Sequence, residues 1–386
     1  MRMVFWLSLI FILYVYAGYP ILLFLWSKFK TNKVEKKEFT IAPAISILIA
    51  ARNEENNVGK RLENLLSVDY PKERMEIIVV SDGSTDGTAN TVRKYISISG
   101  GIHDVNVKKV KIILLEVRES RGKANALNEA YKLASGEFIV FADCRQEFRK
   151  DAIKKLLPNF NDPRIGCVSG ELVFYSNRDS EIENEMGIYW NLEKRIRKME
   201  SDIGSVAGAT GAIYVIRKHL YSTLPVGLIL DDVYIPMKIV CAGYRTIFES
   251  QAIAYDKVSE NYSREKARKV RTLSGNYQLL KAMPELLSPF RNPIFFRYLS
   301  HKVFRLFVPF FVAGLFVSSY LMKGLVYNLV FYAMTVLMLM PFFDKVLSRI
   351  PVLSTLSKVS NTFIALNYFA ILAFFHQLKP QKKDIW

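Results

Sequence analysis

Residues 4–26, VFWLSLIFILYVYAGYPILLFLW, carry no charged side chain. A run of 23 residues is long enough to cross the ~30 Å hydrocarbon core of a bilayer as a helix. In lipid a backbone must satisfy its own hydrogen bonds, so a single segment there has little choice but helix. A secretory signal would have a shorter apolar core of ~7–15 residues and a small-residue cleavage site. Neither fits, and residues 1–28 are predicted to be a retained transmembrane helix. Lys28, Lys30, Lys33, Lys36 and Lys37 follow it directly, which marks that flank as cytoplasmic by the positive-inside rule. Residues 29–42 then read as a basic linker, and 43–280 as a cytosolic domain.

The formal net charge is +17, a value that raises the question of nucleic acid. The basic residues, however, cluster beside the apolar segments and in 264–271, and no helix-turn-helix, zinc-finger or aromatic RNA-binding pattern accompanies them. Nucleic acid is excluded as a partner on this reading. Membrane lipids and an anionic small-molecule substrate suit the charge better. Cys144, Cys167 and Cys241 lack metal-ligand spacing and fit a reducing compartment, and the four histidines form no cluster.

Within 43–280 apolar runs of strand length alternate with amphipathic stretches. AISILIAA is followed by a helical pattern with Val58, Leu62, Leu65 and Leu66 on one face. MEIIVVSD, VKIILLE and EFIVFAD are further strands, with helical patterns over STDGTANTVRKYIS and GKANALNEAYKLAS. Four alternations predict an α/β fold: a mostly parallel sheet with helices on both faces. Ligands of such sheets lie beyond the carboxyl ends of the strands.

Those ends are polar. Ala51 with Asn53 and Glu54 closes the first strand, and its backbone could accept a nucleoside base. Asp82 closes the second, where its carboxylate could accept hydrogen bonds from a ring N–H or ribose hydroxyl; Asp86 or Ser84 could cap the next helix. Gly122-Lys123 opens a helix, a poor place for a lysine unless an anion binds there. Asp143 closes the fourth strand, where a carboxylate could hold Mg²⁺ or Mn²⁺ against phosphate oxygens. Neither a GxxxxGK phosphate loop nor a GxGxxG turn is present.

Beyond 280 the texture changes. SPFRNPIFFRYLSHKVFRLF, residues 288–307, mixes Arg and Lys with Phe and Leu, as interfacial helices do, and 287–300 is predicted to be one. Residues 303–321 and 325–343 are membrane-length segments joined by Met322-Lys323-Gly324, which demands a helical hairpin, and 360–376 is a third, shorter candidate. A C-terminal membrane region over 301–378 and a tail over 379–386 follow. Lysines and arginines flank 360–376 on both sides, so a spanning helix there conflicts with the charge rule; a re-entrant or interfacial placement removes the conflict.

The motifs SILIAARNEE, IIVVSDGSTDGT, RGKANALN, VFAD and GATGAIYVIRK…LDD resemble, in order and spacing, family-2 glycosyltransferases. The resemblance covers about 43–280, and the flanking membrane segments look like the cellulose-, chitin- and hyaluronan-synthase branch. It implies the GT-A fold, a nucleotide-diphosphate sugar donor, a divalent cation, a saccharide or lipid-linked acceptor and inversion at the anomeric carbon. Carried over by position, Glu54 and Asp82 hold the nucleoside, Lys123 approaches the donor, and Asp143 is the last carboxylate of a DxD metal motif whose first position here is Phe141. Asp231-Asp232 matches the family's acidic pair, with Asp232 as general base; a helix N-cap is the competing reading. Asn128, within RGKANALN, and Arg268 are assigned to the donor side.

The QxxRW motif departs most. Arg271 is kept, as a cation for the leaving diphosphate, while Arg268 and Thr272 replace Gln and Trp. A lost stacking face predicts addition of one or a few sugars rather than a long chain, unless oligomerisation assembles a pore. Glu185, Tyr189, Trp190 and Glu193, with Arg197 one turn on, share a helix face and suit an acceptor-sugar platform; ordinary packing explains them equally. Two alternatives stay open: a polyprenyl-phosphate sugar transferase, and a catalytically silent nucleotide-binding scaffold.

Overall fold

The computed structural model describes residues 1–100, 110–175, 181–257, 262–347 and 350–378. The expected strands form, and four more join them. Eight strands make one mixed sheet: β1 Ile45–Ala51, β2 Met75–Asp82, β3 Lys111–Val117, β4 Phe138–Ala142, β5 Glu147–Phe148, β6 Ile165–Tyr175, β7 Ile213–Arg217 and β8 Arg245–Lys257. Their order is β3-β2-β1-β4-β7-β6-β8-β5. The first four strands are parallel; β7 runs antiparallel to both β4 and β6, and β8 is parallel to β6. The sheet therefore reverses direction at β4, whose end carries Asp143.

Every residue of β1 and β2 is buried, which is why these segments are continuous apolar runs rather than alternating ones. Of the two carboxylates among them, Glu76 and Asp82, Glu76 is answered by neighbouring serines. Its Oε1 accepts from Ser46 Oγ at 2.6 Å, Ser135 N at 2.6 Å and Ser135 Oγ at 2.9 Å. One face of the sheet is covered by helices Glu55–Leu66 and Thr88–Gly100, through Val58, Leu62, Leu65 and Val92. The other is covered by Lys123–Leu133 and Asp231–Cys241, through Ala126, Leu127, Ala130, Ile235 and Ile239.

Four helices are long and apolar enough to cross a membrane: Arg2–Phe29, Phe295–Leu321, Leu325–Phe343 and Val352–Gln377. The first two pack side by side, with Phe11 stacked on Phe311 at 3.9 Å between ring centres. The expected interfacial helix over 287–300 is not a separate element. A short 3-10 turn ends at Leu287, and helix starts again only at Phe295, running on through 321. The physical reason is that Arg297, Ser300 and His301 are buried against the globular domain, not laid on lipid.

The fourth apolar helix lies across the others. Phe331 stacks near Phe316 and Tyr320, which sets the register of the hairpin. Ser357 reaches Met340 O at 3.5 Å, and Phe374 meets Phe310 at 5.2 Å between ring centres. By the hairpin register, Met340 and Phe310 stand at one depth. A helix parallel to the bundle would climb roughly 25 Å between 357 and 374. This helix stays level. It packs instead along Tyr262–Ala282, with Gln377 Nε2 donating to Ser274 O at 2.9 Å and Tyr277 against Phe374. The tail over 379–386 lies outside the described residues.

Candidate active site

The loops after β1 and β2 are latched to each other. Asn53 adopts a left-handed φ of 53° and accepts from Thr85 N at 2.8 Å through Oδ1. Asp86 accepts from Glu55 N at 3.1 Å and from Thr88 N at 3.0 Å, so one carboxylate serves the starts of two helices. Burial alone would raise the Asp86 carboxyl, but the Thr88 hydroxyl and the surrounding backbone N–H groups hold it below its ordinary value. Glu55 accepts from Gly87 N at 3.0 Å, Glu54 N donates to Thr88 Oγ1 at 2.8 Å, and Glu54 Oε2 accepts from Asn57 at 2.6 Å. Ala51 is fully buried and can offer a ligand only its backbone.

Asp82 does not present a free carboxylate. It is fully buried. Its oxygens accept from Ser120 Oγ at 2.8 Å, Arg121 N at 3.0 Å and Gly122 N at 2.8 Å. Gly83 makes the approach: with φ 62°, a Cβ there would stand 2.5 Å from Ser120 N. Asp82 thus fixes the turn that delivers Lys123. Asn128 is likewise committed, contrary to its assignment to the donor. Its Oδ1 accepts from Tyr221 OH at 2.7 Å and Leu224 N at 2.9 Å, and its Nδ2 donates to Leu224 O at 2.9 Å. An amide with those bonds made has little left for a ligand.

The remaining charges converge. Lys123 Nζ lies 2.9 Å from Asp143 Oδ1 and 3.2 Å from Asp231 Oδ1. The lysine at a helix start is therefore reconciled by two carboxylates of the protein. Although burial opposes it, their charges raise the Lys123 ammonium well above its ordinary value. Asp231 and Asp232 open helix Asp231–Cys241 without any side-chain cap hydrogen bond, so capping does not explain them. Burial and then Asp231 push the Asp232 carboxyl up to about 6, against Lys123 and Lys302, with Asp143 adding to the push. Phe141 stacks on Tyr214 at 4.2 Å with planes 6° apart, which fills the place of a first DxD carboxylate with core.

Helix Tyr262–Ala282 borders this cluster. Gln278 accepts from Ile229 N at 2.9 Å and donates to Gly227 O at 2.7 Å, just before Asp231. Arg271 stands two turns earlier on the same face and is exposed. Arg268 pairs with Glu265 at 2.7 Å and lies over the Phe174 ring.

The acceptor platform is not borne by the geometry. Glu193 is spent on the apolar helix Phe295–Leu321: Oε1 lies 2.8 Å from His301 Nε2, and Oε2 accepts from Arg305 at 2.9 Å. Trp190 donates to Leu172 O at 3.1 Å and packs on Phe174. The hollow lined by Glu171, Leu172, Trp190, Glu193, Lys194, Arg197 and Phe248 is too small for a sugar ring. The side chains of Glu185 and Tyr189 lie outside the described residues.

Arg61 escaped the sequence reading, which placed Arg197 only on the acceptor face. Arg61, 1% exposed, donates to Gln146 O at 2.7 Å and stacks over Phe148, pinning the loop that carries Asp143. Arg197 holds Thr210 Oγ1 at 2.5 Å and Ser169 Oγ at 3.0 Å. Arg61 was hidden because a helix-surface arginine reads as solvated.

Residues 46–224 match Glycosyl transferase family 2, and residues 138–347 match Glycosyl transferase family group 2. The chain is 28% identical over 260 residues to the poly-beta-1,6-N-acetyl-D-glucosamine synthase of Staphylococcus aureus, covering 66% of this chain and 59% of the relative. It is 28% identical over 257 residues to the synthase of the same name from Staphylococcus epidermidis, covering 65% of this chain and again 59% of the relative. The chain thus spans about three-fifths of the curated relatives it matches. Among solved structures, mannosyltransferase PcManGT from Pyrobaculum calidifontis, in complex with GDP-Man and Mn²⁺, has a TM-score of 0.75 at 19% identity, covering 98% of this chain and 100% of that one. The expected α/β GT-A fold with appended apolar helices is what this chain adopts, and the chain belongs to glycosyl transferase family group 2.

Proposed function

We propose that this chain is a membrane-bound inverting glycosyltransferase. It moves a sugar from a nucleotide-diphosphate donor to a hydroxyl of a saccharide or glycolipid, in cell-surface polysaccharide or glycan synthesis. The observation that carries this reading is the convergence of Asp143, Asp231 and Lys123, with Asp232 beside them, beyond the end of β4.

The reaction is a direct displacement. Asp232 takes the proton of the acceptor hydroxyl, and that oxygen bonds to the anomeric carbon as the bond to the diphosphate oxygen breaks. A carboxyl raised to about 6 is a stronger base than an ordinary one and is still ionised at pH 7. Arg271, at the rim, and Lys123, once drawn from its carboxylates by the diphosphate, balance the charge that gathers on the leaving group.

Two carboxylates closing on one ammonium mark a position that fits a cation. Among the described residues no group of three or more His, Cys, Asp or Glu forms a complete metal cage. Asp143, with donor phosphate oxygens, would hold a divalent cation, as Mg²⁺ sites commonly do. When bound, it would neutralise diphosphate charge. Mannosyltransferase PcManGT, with GDP-Man and Mn²⁺, supports both the donor class and the metal.

The catalytic domain faces the cytosol on this reading. With three crossings and the fourth apolar helix lying level, the Lys28–Lys37 flank and Lys358 fall on one side, and the charge-rule conflict disappears. A lipid-phosphate acceptor is the second reading. It is favoured by Lys302, which acts on Asp232 from the membrane side. Asp232→Asn separates the two, since a phosphate acceptor needs no strong base.

The test is a screen of nucleotide sugars against the membrane-embedded protein, with lipid extracts and oligosaccharides as acceptors, reading released nucleoside diphosphate. One donor should give turnover that Asp143→Ala and excess chelator each remove. Full turnover in chelator would overturn the metal role, and donor-independent background alone would return the scaffold alternative.

A further inference from the structure

Helix Glu181–Ile203 carries Glu193, Arg197 and Glu200 at spacings of four and three, on one face. The two carboxylates close on the membrane helix. His301 sits between them, with Nε2 2.8 Å from Glu193 Oε1 and Nδ1 2.9 Å from Glu200 Oε1. Arg305 adds a bond to Glu193 at 2.9 Å, and Tyr19 OH donates to Glu200 Oε1 at 2.5 Å. Arg297 donates to Glu200 O at 3.1 Å and Ser205 O at 2.9 Å. Both membrane helices widen into a π turn here, Tyr14–Gly18 and Leu299–Val303, and Tyr14 OH and Ser300 Oγ join the turns at 2.7 Å. Isolated π turns inside long helices are uncommon and gather where a helix has a task. Glu200 and His301 are at most 2% exposed. The joint is therefore dry, and a carboxylate there is costly unless it stays paired.

Arg197 stands between the two clamped residues and points to the active site. Its Nη1 donates to Thr210 Oγ1 at 2.5 Å, and its Nη2 donates to Ser169 Oγ at 3.0 Å and Gly208 O at 3.4 Å. Ser169 Oγ in turn accepts from Thr210 N at 2.9 Å. The held segment, Gly208–Gly211, lies on Asp232. Ala209 N donates to Asp232 O at 2.7 Å, and a Cβ on Gly211 would stand 3.1 Å from Asp232 Oδ2. A shift of this segment by a fraction of an ångström would move the carboxylate against it.

We propose that Arg197 is a positioning residue for Asp232, and that the Glu193–His301–Glu200 clamp sets Arg197, so that the membrane helix fixes the geometry of the general base. The inference rests on Asp232 being that base, as argued above. It adds that residues touching no substrate govern the chemical step. Misplacing a reacting group by about 1 Å costs on the order of a hundredfold in rate.

The experiment uses the full membrane-embedded chain. Initial rates give kcat and donor KM, and thermal unfolding gives the midpoint, for Arg197→Met, Arg197→Lys, His301→Gln and the Arg197→Met/His301→Gln double variant, beside Asp232→Asn. Arg197→Met should lower kcat about a hundredfold with donor KM within about threefold. Arg197→Lys should keep about tenfold more activity than Arg197→Met. His301→Gln should lower kcat about tenfold, and the double variant should lose no more than Arg197→Met alone, because both act through one chain of contacts. A kcat for Arg197→Met within threefold of the parent overturns the proposal, as does full additivity in the double variant. Should Arg197→Met not fold, Arg197→Lys decides: a parental kcat there overturns it. Wild-type turnover by Asp232→Asn would instead sink the reading of Asp232, whatever the Arg197 variants do.

Discussion

The two acidic clusters of the catalytic domain differ in what satisfies them. In the loops after β1 and β2, Asp82, Asp86 and Glu55 accept from neighbouring backbone N–H groups. Beyond β4, Asp143 and Asp231 are answered by the Lys123 ammonium. A backbone N–H cannot leave its place without unfolding a loop, whereas a lysine side chain can swing away at modest cost. The first cluster is therefore a scaffold that shapes the cleft. The second is exchangeable, and a ligand carrying phosphate and a cation can take over its charges.

The sharpest way to break this contrast is to remove the base. Asp232→Asn keeps size and shape, and kcat should fall about 10³-fold, within the usual range for a lost general base. Donor affinity, measured by calorimetry with the matching nucleoside diphosphate, should change by less than threefold. Turnover near the parental rate would mean that the exchangeable cluster binds but does not react.

A pH profile sharpens it further. With Asp232 raised to about 6, above an ordinary value of about 3.9, kcat should fall about tenfold per unit below pH 6 as the base takes its proton. Stability runs the other way for this group. The native state binds that proton more readily than the unfolded chain does, so its contribution to stability rises as pH falls from about 6 to about 4. Asp86 has the opposite sign: held below its ordinary value, it contributes stability above that value and loses it as pH falls through the lowered one. A rate profile flat down to pH 5 would contradict the raised base.

In the parallel half, β1, β2 and β4 were legible because fully buried strands leave an unmistakable apolar run, and their polar ends stand out against it. Asp143 stood out as a candidate that way, Lys123 by its place at a helix start, and Asp231-Asp232 only through the family resemblance. The antiparallel half was not, since β6 and β8 are partly exposed along their length and their pattern is diluted. The partners of Asn128, Trp190 and Glu193 were hidden for one reason. Sequence shows that a polar group exists on a face, but not which distant loop or helix consumes it. Leu224 and His301 lie 96 and 108 residues from their partners. The lie of the last apolar helix was left open, because the charges on both its flanks argue against a crossing while its composition reports length and hydrophobicity but no direction.

Asp82 tests the scaffold side with a smaller effect on rate and a larger one on folding. Asp82→Ala strips the 120–122 turn of its acceptor, and hydrogen bonds to a charged group are worth about 1.5–3 kcal/mol each, with strong non-additivity. We expect a loss of about 2–4 kcal/mol in denaturant unfolding. Donor affinity should weaken several-fold, through Lys123 losing its place. A stability within 0.5 kcal/mol of the parent, taken as about the scatter of neutral substitutions, with affinity lost, would return Asp82 to direct contact with the nucleoside.

The smallest effect is expected at Trp190. Its indole N–H is spent on Leu172 O at 3.1 Å and its ring on Phe174, so its work is to seat helix Glu181–Ile203 on β6. Trp190→Leu keeps an apolar side chain but removes the hydrogen bond and the edge-to-face contact. Each is worth about 1 kcal/mol, which places the expected destabilisation near 2 kcal/mol. A sugar platform would behave differently, because saccharides bind to the flat face of an aromatic ring and leucine has none. Acceptor KM should therefore stay within about twofold of the parent while the unfolding midpoint drops. A tenfold rise in acceptor KM at unchanged stability would restore Trp190 to the acceptor site. It would also mean that helix Glu181–Ile203 belongs to the exchangeable half of the domain, where side chains wait for a ligand.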